Sequence, residues 1–156
     1  MRSLVRKGSH GRSESGTALI EFIWLGLILM VPLVYALLAV FDTQRAAYGV
    51  SAAARSAGRA FVLAPDQVLG EERARQAAQI ALADQGVELV PGALVITCRP
   101  EPTRCLSPGS LVTVTVSVQE ALPLVPRVLG GGAPSVRVSA SHTEPYGTFR
   151  EDRSRP

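Results

Sequence analysis

Between Leu19 and Phe41 the chain carries one charged side chain, Glu21, in an otherwise apolar run. No other feature restricts the fold as strongly. From Thr17 to Phe41 the segment is about 37 Å long as an α-helix, at about 1.5 Å per residue. That exceeds the roughly 30 Å hydrocarbon core of a bilayer, so residues 17–41 are expected to span one. A carboxylate in such a run is costly, about 2.5–3.5 kcal/mol at the bilayer centre and less toward the interface. An ionisable residue in that setting is read first as functional. The chain's 156 residues leave room beside this helix for one small domain, not two.

The formal charge of +3 suggests a basic protein, but its placement argues otherwise. Arg2, Arg6, Lys7 and Arg12 precede Gly16 with only Glu14 against them, and from Thr17 onward basic and acidic residues balance. Basic residues before a span hold that end in the cytoplasm, so the C-terminal part is expected outside. No clustered basic face remains for a nucleic acid to use.

Residues 1–16 read as a polar, Gly/Ser-rich leader, disordered or removed. Pro32 lies within the span and lacks an N–H; a tolerated membrane proline and a dedicated flexible point are both open. Helix formers continue from Asp42 to about Ala64 as a stem, residues 42–64, until Pro65 stops it. Ala47, Val50, Ala54, Ala57 and Phe61 form one stripe at spacings of three and four. Arg45, Tyr48, Ala52, Arg55 and Arg59 form a second, roughly opposite. The small-residue face can cover the domain's own sheet, pack against neighbouring subunits, or do both. Asp66 can cap a second helix to about Asp84, with Gly86 just past its end. Its apolar side is Ala74, Ala77, Ala78, Ala81 and Leu82, which suits a flat neighbour.

From Val87 the pattern becomes β. Leu94–Thr97 is a short strand leading into Cys98. In Leu111–Val118 the valines 112, 114, 116 and 118 alternate with Thr113, Thr115 and Ser117, as in a sheet buried on one face. Leu122–Val128, broken by prolines and followed by Gly130–Gly132, reads as a mobile loop touching membrane or partner. Ser135–His142 alternates again, with Val136, Val138 and Ala140 inward. The polar tail, residues 151–156, is expected to fray. The fold class is therefore α+β: a long transmembrane helix with its stem, a second helix, and a small antiparallel sheet of three to four strands over residues 65–150.

Cys98 and Cys105 flank a Pro-rich turn. Outside the cytoplasm such a pair is most simply a disulfide, with free thiols as the alternative. Without a neighbouring histidine the pair does not complete a zinc site. Catalytic constellations are missing: there is no G-x-S-x-G elbow, phosphate loop, H-E-x-x-H or paired carboxylates. Gly130–Gly132 lacks the Lys-Ser/Thr of a phosphate loop. His10 falls in the leader, and His142 reads as a solvated or hydrogen-bonded strand-end residue.

The basic leader ending at Gly16, with Glu21 five residues on, Phe22 next and the span starting at once, resembles the type IV prepilin-type signal. With the uninterrupted helical stem, the chain resembles the TadE-like minor pseudopilins of the tight-adherence (Flp, type IVb) pilus system. The resemblance is close over leader, helix and stem, and one of layout over the β region. It implies cleavage by an aspartate-type membrane prepilin peptidase between Gly16 and Thr17, which makes Thr17 the new N-terminus. It implies that Glu21, with Phe22 beside it, serves assembly, the carboxylate meeting a neighbour's N-terminal amine so that two charges are neutralised in lipid. The implied partners are the membrane, the peptidase, other pilins or pseudopilins and the inner-membrane platform, with no cofactor and no small-molecule substrate. A major pilin of this system would be little more than the helix, so the β region implies a minor one. Two other readings are a single-pass anchored protein without a pilus role and a secreted domain behind a signal peptide. The apolar run is long for the latter's 7–15-residue core.

Overall fold

The computed structural model describes residues 15–121 and 135–154. The expected leader up to residue 14 and the Leu122–Val128 and Gly130–Gly132 loop lie outside the described residues. Helix α1 runs Ser15–Val62 and contains Pro32. It starts two residues before the expected boundary at Thr17. A helix already nucleated by the long run extends backward at little cost, one hydrogen bond per residue fixed. It also ends two residues before Ala64, because the residue preceding Pro65 is pushed out of the helical region.

By its contacts the chain divides after Leu37. In the first unit α1 stands bare: every residue from Thr17 to Val34 is exposed, all of them apolar or small but for Glu21. A helix apolar all round needs an apolar surround. This helix is long and apolar enough to cross a membrane.

The second unit holds the rest of α1, helix α2 (Gln67–Ala83) and strands β1 (Leu94–Arg99), β2 (Leu111–Ala121) and β3 (Ser135–Pro145). Asp66 caps α2 by accepting the Leu69 N–H at 2.8 Å. At its other end Gly86 N–H reaches Ala83 O and Val87 N–H reaches Leu82 O. This closure needs a left-handed residue, and Gly86 supplies it with φ +67°. α1 and α2 form an antiparallel hairpin whose close approaches are at Gly70, against the Phe61 ring, and Gly49, against Leu82 and Gln85.

Among the described residues the sheet has three antiparallel strands in the order β1-β2-β3. Leu94 faces Val116 across the first ladder, and Thr113 faces Thr143 across the second. Val112, Val114, Val116 and Val118 are buried as expected and join Val50, Ala53, Ala54, Ala57, Phe61, Ala74, Ala78 and Leu82 in one core. The helix hairpin covers one face of the sheet, and the Thr/Ser face is left to solvent. Val138 and Ala140 pack against the core as expected. Val136 does not: it is 39% exposed at the end of β3 opposite Glu120, two residues beyond the last buried valine of β2. The stem stripe holds at Val50, Ala54, Ala57 and Phe61, all buried. Only its first position differs, Ala47 being exposed and Ala46 buried, because α1 packs against both α2 and the sheet and so also buries the adjacent arc of Ala46, Gly49 and Ala53.

Candidate functional site

The residues singled out by the sequence fall in two places. Gly16, Thr17, Glu21 and Phe22 lie in the first turns of α1. Thr17 and Glu21 are four residues apart, so they share one helix face, about 6 Å apart along the axis. Glu21 is exposed, and among the described residues none of the ion pairs involves it. Phe22 is 73% exposed on the adjoining face. The Glu21 carboxylate is therefore uncompensated within the described chain, on a helix whose other side chains suit lipid.

Cys98 and Cys105 are brought together as a disulfide, with Cα atoms 5.2 Å apart. Both are buried in the core. The bridge sits at the base of the β1–β2 connection, as expected of a hairpin linked through the cysteine loop. Ser110 Oγ donates to Cys105 O, and Cys105 N–H donates to Gln67 Oε1 at 3.4 Å.

What this loop holds was not expected from the sequence. The expected frayed tail is ordered through Ser154. Tyr146, 1% exposed, donates from its hydroxyl to Glu151 O at 2.7 Å, and Arg150 stacks on its ring at 4.8 Å. Arg150 Nη1 then donates to Val62 O at 2.8 Å, and Arg153 Nη1 to Ala64 O at 3.3 Å. Two guanidinium groups thus cover carbonyls left without intrahelical donors at the α1 C-terminus. Arg153 N–H pairs with Leu106 O, and Arg104 pairs with Asp152. Bonds from Ser154 Oγ and N–H hold the Asp152 carboxyl below its ordinary 3.8, with Arg104 adding to this and burial opposing it. Only Tyr146, a large aromatic after a strand, could have signalled this clasp; its arginines lie in a segment without periodicity.

His142 lies within β3, with its Nε2 3.1 Å from Glu144 Oε1. Together with Arg55, Ser56, Arg59 and Thr143 they line a recess of about 470 Å³ between α1 and β3. Among the described residues no group of three or more His, Cys, Asp or Glu is placed to hold a metal ion. Comparison with protein-family models, with curated proteins and with solved structures finds no match to this chain.

Proposed function

We propose that this protein is a non-enzymatic, membrane-anchored minor pseudopilin of a tight-adherence type pilus machinery, processed at Gly16–Thr17. The observation that carries this reading is Glu21. It is one carboxylate on a bare apolar helix, a turn from Thr17 and immediately behind a basic leader. A charge there costs insertion energy without stabilising the folded domain, so its return must come from another molecule. The N-terminal amine that cleavage creates on a neighbouring pilin is the counter-charge of the right sign and depth. The leader's basic residues hold the N-terminus in the cytoplasm. That places the disulfide-bearing unit outside, where disulfides persist.

A single-pass anchor without a pilus role is the second reading. It is favoured by the helical state of Ser15 and Gly16, since a scissile bond must unwind to enter a protease. The experiment separating the two is Gly16→Leu in the native host. The pseudopilin reading expects the variant to stay at full length in the membrane, correctly oriented, while wild type is shortened by the leader. Equal sizes for both would leave the plain anchor.

A further inference from the structure

Strand β3 pairs with β2 along its whole length, and no described strand occupies its other side. Its 11 residues give an open edge of about 37 Å. Such edges template further pairing, and proteins blunt them by shortness, proline, charge or cover. The opposite edge follows that rule: β1 has six residues and is bounded by Pro91 and Pro100. β3 has proline only at its last position; on its solvent face the charged Arg137 lies toward its start, and from there on Ser139, Ser141 and Thr143 are small and exposed. Beside this edge α1 sets Arg55 and Arg59 one turn apart along the recess shared with β3. Arg59 is 3.8 Å from Glu144, which His142 also contacts; Arg55 enters none of the ion pairs among the described residues. The strand can lie this close because α1 has Gly58 there, where a Cβ would meet Glu144 Cγ at 3.1 Å.

We propose that the β3 edge and the Arg55–Arg59 flank form a docking track for an extended segment of a partner protein, added as a fourth strand with acidic side chains toward α1. Main-chain hydrogen bonds to the edge would supply affinity, and the two guanidinium groups would select acidic over basic side chains. A second copy of this chain fits less well. Antiparallel self-pairing of β3 would reverse the second copy's α1, which two copies anchored through α1 in one membrane do not allow.

The test uses the full chain in detergent micelles and fluorescent nine-residue peptides alternating Thr with Glu. Controls are a Thr/Lys peptide and two Glu peptides N-methylated on alternate residues, one for each strand edge. Saturable binding of the Glu peptide is expected, at least tenfold weaker for the Lys peptide and for Arg55→Glu/Arg59→Glu, and weakened by salt. One N-methylation pattern should abolish binding and the other leave it. Both arginines are exposed, so the variant should fold, which an unreactive Cys98–Cys105 pair would verify. The proposal is overturned by absence of saturable Glu-peptide binding, by equal binding of the Lys peptide, or by equal binding of both N-methylated forms. A dimer of the unliganded protein that the peptide dissociates would assign the edge to a second copy and overturn it as well.

Discussion

The contact between Gly70 and Phe61 sets how α1 and α2 pack, and Gly70→Ala probes it. A Cβ at this position would meet Phe61 Cδ2 at 3.2 Å, Cε2 at 3.3 Å and Phe61 O at 3.3 Å. The ring cannot retreat, since Phe61 is 0% exposed. The carbonyl is fixed by accepting the Ala64 N–H at 3.1 Å. Two effects oppose each other. Alanine is favoured over glycine in a helix interior by about 0.8–1.0 kcal/mol. Adding a methyl to a filled core costs about 1–3 kcal/mol. With a rigid ring and a backbone atom in the way the second effect wins, and the net loss is about 1 kcal/mol. In a Phe61→Leu background the ring contacts disappear and only the carbonyl contact at 3.3 Å remains, so Gly70→Ala should become close to neutral. The cycle then has a coupling energy of about 1 kcal/mol, in the range for touching residues. Urea unfolding of the four detergent-solubilised proteins, followed by far-UV circular dichroism, measures it. Stabilisation by Gly70→Ala in wild type, or coupling below about 0.3 kcal/mol, would refute the packing argument.

Closing the short Cys98–Cys105 loop contributes about 2.5 kcal/mol in the chain-entropy account. Cys98→Ala/Cys105→Ala should lower stability by about that amount and expose the C-terminal residues to carboxypeptidase; an unchanged unfolding midpoint would contradict it. Asp152 has a lowered pKa, so its contribution is present above its unfolded value and is lost as pH falls through the lower folded value. The stability gap between wild type and Asp152→Asn should therefore be full at neutral pH and close below about pH 3.8; a gap constant through that window would show that the carboxylate's charge is not involved. On the pseudopilin reading, Glu21→Gln should leave the unfolding of the second unit unchanged and membrane anchoring intact, while crosslinking to pilins or platform proteins and piliation fail; wild-type crosslinking and piliation would make the carboxylate incidental.

The elements with strong periodicity were legible in the sequence. Valines 112, 114, 116 and 118 announce a half-buried strand, Asp66 and Gly86 bracket α2, and a helix apolar enough to cross a membrane is written in the composition of residues 17–41. The stem's buried face was legible at Val50, Ala54, Ala57 and Phe61 and missed only at its first position. Ala46 and Ala47 are equally apolar, and the choice between them is made by packing against both α2 and the sheet. The clasp was illegible because Arg150 bonds Val62 and Arg153 bonds Leu106 and Ala64. Those partners lie 47 to 89 positions away, and a polar tail carries no local trace of them. Glu21 stands out for the opposite reason, as the single charge in an otherwise apolar run.

The most direct test of the processing claim exploits an amine count. Lys7 is the sole lysine of the chain, so cleavage after Gly16 would leave the Thr17 α-amine as the one primary amine in the mature protein. Membrane-fraction protein from the native host, labelled with an amine-specific reagent and mapped by peptide mass spectrometry, should carry label at Thr17 and nowhere else. Label at Met1 and Lys7 on a chain of full length would contradict the account.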